Sequence, residues 1–189
     1  IDIAFDSVKF AAKPGIDVFV DSAADGTVIV ANAVDLVEGA LNLQGRSDNS
    51  GASFDLLEGK YGADPGAVTT VSSGHYEIVD VRADTYTVTI SMDRYLDVTI
   101  DSDKLLTASG EHVIVSNLTL LGGDANDDDT IDPLDAGIIG GAYGTSLGGS
   151  NWKTMADINA DNTVDILDLV LMGGNYGKSS DTAYSGWTP

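Results

Sequence analysis

The sequence predicts a mostly β protein with a small α C-terminal unit: a seven-stranded β-sandwich followed by a pair of loop–helix motifs. Two observations predict it. Between residues 39 and 121, short segments alternate apolar and polar side chains or run in β-branched residues, and their roughly eight-to-twelve-residue spacing is that of a sandwich. Beyond residue 121 the period changes. A shift of 33 residues then lays DANDDDTIDPLD at 124–135 on DINADNTVDILD at 157–168, Gly140-Gly141 on Gly173-Gly174, and Tyr143-Gly144 on Tyr176-Gly177. A duplication held in phase over that length is an internal repeat rather than two chance turns.

Taken in order, residues 1–31 read as strand, turn and strand: IDIAFDSVKFAA, a KPG break, then IDVFV and TVIVA around SAADGT. So few strands form no stable unit alone and must be shared with another sheet. ANAVDLVEGA at 31–40 reads as a linker or short helix, so the chain divides into a strand segment with linker (1–38), a sandwich (39–121) and a C-terminal unit with its tail (122–189). ALNLQGR, GASFDLL, AVTTV, HYEIVDV, DTYTVTI, YLDVTI and HVIVSNLTLL are the seven strand signals. Each acidic run is followed by one apolar helix that ends in a Gly pair, PLDAGIIGGAY and ILDLVLMGGNY, with Pro133 where a first helical residue is tolerated. The tail AYSGWTP is either frayed or folded back over the start of this unit.

A net formal charge of −21, from 30 acids against nine bases, disfavours phosphate backbones and anionic membrane surfaces. With no cysteine, thiol nucleophiles, disulfides and thiolate zinc sites are excluded together. The start at Ile1 reads as a mature product or a fragment.

The acidic runs account for part of the charge. As twelve-residue loops they place Asp124, Asn126, Asp128, Thr130, Asp132 and Asp135, and again Asp157, Asn159, Asp161, Thr163, Asp165 and Asp168, at positions 1, 3, 5, 7, 9 and 12. A hard cation such as calcium takes about six to eight oxygens, and a loop of this spacing supplies them, with the backbone carbonyl at position 7. Two calcium ions are therefore expected. Position 12 is Asp instead of the usual Glu, and position 6 is Asp129 or Asn162 where Gly is expected; both tolerate a left-handed backbone. Calcium should act as a folding ligand for this unit, whose helices are expected to melt on chelation and leave the sandwich intact.

Three resemblances follow from these residues. Loop plus exiting helix, duplicated, with a G-D-x-N-x-D start and an I/V-D-x-x-D finish, resembles a type I dockerin over residues 122–177. That resemblance implies pseudo-twofold packing and docking to a cohesin through loop positions 10 and 11, here Pro133, Leu134, Ile166 and Leu167. The cellulosomal pattern favours Ser and Thr at that pair, and the apolar residues found here fit either a core or an interface. LNLQGRSDNSGASFDLL with TTVSSGHYEIVDVRADTYTVTISMDRYL looks like a carboxypeptidase-regulatory-like (transthyretin-like) domain, which implies a non-catalytic spacer; Asp84 departs from the Gly usual there. Residues 1–31 are similar to the last strands of a cohesin domain.

No nucleophile elbow, zinc-protease motif or phosphate loop is present, and the two histidines, His75 and His112, read as surface or edge residues. The chain is expected not to be an enzyme. It reads as an extracellular or cell-surface assembly module that docks to a cohesin-like domain. Two alternatives stay open: a subunit of a head-to-tail fibre built from neighbouring copies of itself by strand complementation, and the C-terminal targeting tail of a larger secreted enzyme.

Overall fold

The computed structural model describes residues 33–57, 66–82, 85–100, 106–107 and 112–189. The strands expected at 1–31, and with them the likeness to a cohesin tail or a donor strand, lie outside the described residues.

The linker or short helix expected over 31–40 is corrected: strand β1 runs unbroken from Ala33 to Leu43, and the boundary between residues 38 and 39 falls inside it. The reason is period 2. Val37, Leu41 and Leu43 are buried, while Glu38 and Asn42 face outward. Gly39 completes the inner row where a side chain would not fit, because a Cβ there would overlap the Tyr76 hydroxyl. Helix-compatible Ala, Glu and Leu lose to a strand with partners on both sides.

Eight further strands follow: β2 (Ser53–Leu57), β3 (Val68–Thr69), β4 (His75–Arg82), β5 (Thr85–Ser91), β6 (Val98–Thr99), β7 (Leu106–Thr107), β8 (Val113–Ile114) and β9 (Leu118–Leu120). Among the described residues nine strands stand where seven were expected between 39 and 121, because β7 gave no signal and HVIVSNLTLL divides into β8 and β9. They form two sheets. In the first, β1 pairs antiparallel with β4 along one edge and parallel with β8 and then β9 along the other. The second has the order β3-β2-β5-β6, with β7 also on β5. Between the sheets Phe54 stacks on Tyr76 with ring centroids 4.1 Å apart, and Leu41, Leu56, Tyr86, Val88 and Ile90 fill the layer.

Three residues after β9 the chain enters the first acidic loop. Helix α1 (Pro133–Ala142) leaves that loop, a 3-10 turn (Thr154–Ala156) precedes the second, and α2 (Ile166–Asn175) leaves it; the short α3 (Ser180–Ala183) begins the tail. Each main helix runs one residue past its Gly pair, and two residues beyond its end comes a left-handed glycine, Gly144 (φ 78°) or Gly177 (φ 80°).

Ile131, Ile139, Ile158, Val164, Met172 and Tyr184 belong to the same apolar cluster as Leu96 and Leu120 of the sandwich. At the junction Gly123 adopts φ 132°, and a Cβ there would lie 2.7 Å from the Met172 Cα. Backbone therefore packs directly on backbone. This continuous core revises the expectation that the helices melt alone, since losing them would bare sandwich side chains to water.

Candidate metal centres

Each loop is closed by its own carboxylates. Asp124 accepts from the N–H groups of Asp128 (3.1 Å) and Asp129 (2.8 Å), and Asp135 accepts from Asn126 N–H (3.1 Å) and Asp132 N–H (2.7 Å). The second loop repeats this pattern 33 residues on: Asp157 accepts from Asp161 and Asn162, and Asp168 from Ile158, Asn159 and Asp165. Asn126 and Asn159 donate to Asp128 and Asp161, whose other oxygens take the N–H groups of Thr130 and Thr163. Left-handed backbone occurs at the anticipated position 6, Asp129 (φ 66°) and Asn162 (φ 69°), and also at position 4, Asp127 (φ 61°) and Ala160 (φ 57°). Ala160 is the costlier of these, having no side-chain oxygen to bond locally.

Asp132 and Asp165 serve first as helix N-caps: each accepts at 2.7 Å from the N–H two residues on, and Asp135 or Asp168 answers from the third helical position as a capping box. The same two carboxylates head the buried stripe of each helix, Asp135-Ile139-Ala142 and Asp168-Met172-Asn175. Position 12 is thus fixed by helix packing as well as by the loop.

The electrostatics are unfavourable without a cation. Asp124, Asp135, Asp157 and Asp168 are each at most 3% exposed, and among the described residues no lysine or arginine forms a salt bridge with them. Burial pushes Asp124 up to about 6 against the opposing pull of its backbone hydrogen bonds, and burial likewise raises Asp157 and Asp168. Asn126 Oδ1 is buried and accepts no hydrogen bond, an orphaned acceptor at loop position 3. A donor set of oxygens alone, with one left over, fits a hard divalent ion.

The two loops brace each other. Ile131 N–H donates to Lys178 O (3.0 Å) and Gly177 N–H to Ile131 O (2.8 Å); 33 residues apart in each partner, Val164 N–H donates to Thr145 O (2.9 Å) and Gly144 N–H to Val164 O (2.8 Å). Each loop is stapled to the exit of the other's helix, a pseudo-twofold exchange. Of the four residues expected at an interface, Pro133 is exposed and Leu134, Ile166 and Leu167 are 62%, 56% and 52% exposed. Exposure decides against the core alternative for the two leucines, because the buried stripe starts one residue later.

Several residues that hold the loops in place escape sequence reasoning. Arg94, at φ 74° in the turn before β6, accepts through its own carbonyl from Gly123 N–H and Asp124 N–H, and its guanidinium reaches Asp157 O (2.6 Å) and Thr154 O (3.3 Å). One sandwich residue thereby touches the first position of both loops. Tyr95 Oη lies 3.1 Å from both Gln44 O and Ile158 O, and Asn175 Nδ2 donates to Gln44 Oε1 (2.5 Å) and Gly122 O (2.8 Å). Asn175 left one trace in the sequence: it stands opposite Ala142 in the repeat, and the mismatch marks the copy that packs on the sandwich. The tail does fold back, with Tyr184 Oη accepting from Leu121 N–H and donating to Leu96 O, and Trp187 Nε1 donating to Ser116 O.

No helix among the described residues is long and apolar enough to cross a membrane. No protein-family model matches the chain, and no curated protein does. Similar solved structures are chains from two interface mutants of a type II cohesin–X-dockerin complex of Acetivibrio cellulolyticus. The C-terminal interface mutant aligns at 23% identity and a TM-score of 0.66, and the N-terminal interface mutant at 22% and 0.64; both alignments cover 78% of this chain and 98% of the other. A match over 78% of the chain is longer than the part ahead of residue 122, so it extends into the loop–helix unit. The similarity shows a shared fold built on a β-sandwich.

Proposed function

We propose that the chain is a non-catalytic, extracellular or cell-surface assembly module, in which the dockerin-like loop–helix pair holds two calcium ions and docks to a cohesin-like β-domain, while the sandwich acts as its rigid support. The observation that carries this reading is the exposure of Leu134, Ile166, Leu167 and Val170, the last 61% exposed, on helices whose opposite faces are locked into the loops. Large apolar side chains held out on a rigid frame are the ordinary makings of a protein interface. When bound, calcium supplies charge neutralisation for the buried carboxylates. This chain's own residues supply the rest: position 12 fixes each helix start, and the crossed backbone staples fix the angle between the helices.

The resemblance to type I dockerins rests on loop phase, whereas the apolar pairs depart from that type and the similar solved structures come from type II complexes. Both facts support a type II cohesin as the first partner to try. In calcium, the chain should bind immobilised type II cohesin more tightly than type I, and Leu134→Asp with Leu167→Asp should abolish binding without changing the helical circular dichroism. Binding to neither cohesin type would overturn the proposal.

A further inference from the structure

The outer face of the first sheet gathers a second set of metal-ligating groups, remote from the acidic loops. Glu38 of β1 stands directly opposite Glu77 of β4, and His75 follows on the same face as the partner of Ala40. His75 Nε2 lies 3.8 Å from Glu38 Oε2 and 3.8 Å from Glu77 Oε2, and one ligand atom from each of the three falls within 4.8 Å of the others. On the other side of β1, His112 Nε2 is 2.7 Å from Glu38 Oε1.

We infer that Glu38, His75 and Glu77 form a site for one transition-type divalent cation such as zinc, with His112 orienting Glu38 from behind. Three arguments carry it. Two like charges directly opposite on paired antiparallel strands are destabilising, so the Glu38–Glu77 pair has a reason to take a cation between its carboxylates. Tetrahedral zinc ligands about 2.0–2.1 Å from the metal lie roughly 3.4 Å apart; side-chain rotations have to close 3.8 Å from His75 to each carboxylate, and a separation within 4.8 Å between the two carboxylates. An imidazole nitrogen among carboxylate oxygens suits zinc rather than calcium. The His112 contact is the hydrogen bond that ligating carboxylates commonly receive from outside the coordination sphere. Three protein ligands leave a fourth position for water or for a side chain of another molecule.

The test uses the full chain with calcium in excess, so that the loops are filled, and zinc chloride as the titrant in calorimetry near neutral pH. One zinc ion per chain is expected, with cobalt giving the intense visible bands of a four-coordinate site. His75→Ala should weaken zinc at least a hundredfold and His112→Ala about tenfold, the latter being the loss usual for a group that orients a ligand. All four side chains lie on a solvent-facing sheet surface, and an unchanged thermal midpoint in calcium will certify each variant as folded. Zinc bound equally by wild type and His75→Ala, or bound by neither, overturns the inference.

Discussion

Arg94→Ala is the perturbation that best separates this architecture from a sandwich with a loosely attached loop–helix unit. Arg94 is 8% exposed, and its guanidinium donates to the carbonyls of Asp157 and Thr154; burial, then the nearby Arg46 guanidinium, lowers its pKa. Removing it leaves two carbonyls at the mouth of the second loop without their charged donor, at a cost of about 2–4 kcal/mol. In a chain of this length that corresponds to roughly 10 °C in thermal midpoint. Arg94→Gly should cost about 1 kcal/mol less than Ala, since the left-handed backbone at φ 74° suits glycine. The effect on the two loops should differ. The carbonyl of residue 94 survives the substitution and still accepts from Gly123 and Asp124 at the first loop, so the second loop should lose calcium affinity by about tenfold or more and the first by much less. Calorimetry in Asp135→Ala and Asp168→Ala backgrounds reads each loop separately. Equal losses at both loops, or no loss at either, would refute the reasoning.

Asp135→Ala and Asp168→Ala should each remove one bound calcium, because position 12 closes the coordination sphere and starts the helix; calorimetry counting two ions in the double variant would show the ligands misassigned. Through the crossed staples at Ile131 and Val164, each single variant should also weaken the loop that remains, which the same titrations measure. Chelation should lower the stability of the whole chain in one transition, with far-ultraviolet and near-ultraviolet circular dichroism melting together; a sandwich that melts unchanged after the helices are lost would count against the shared core. In metal-free protein, raised carboxyls at Asp124, Asp157 and Asp168 mean that the folded state holds protons more tightly than the unfolded one. The stability these carboxyls contribute should then be fully present below the ordinary value of 3.8 and be lost as pH rises through about 6 for Asp124. Calcium affinity should run the opposite way and weaken as pH falls below about 6, which titrations across that range will check.

The sequence determined what depends on short spacings along one chain. Loop phase is legible because Asp124 and Asp135, like Asp157 and Asp168, must close a turn of fixed length, and the hydrogen bonds that close it lie within eleven residues. The same locality made β2, β4 and β5 readable from alternation and made Asp132-Pro133 readable as a helix start. Tertiary structure decided what depends on partners distant in the chain. Residues 33–38 joined a strand because β4 pairs along them and β8 meets Val37 and Glu38 from the other side. Leu134 and Leu167 turned outward because the neighbouring Asp135 and Asp168 claim the buried stripe. Arg94, Tyr95, Gln44 and Asn175 carry no local pattern, since the side-chain hydrogen bonds that join the two regions reach backbone groups more than fifty residues away. Residues that span such separations meet only after the chain has folded, so no window of sequence contains both halves of the contact.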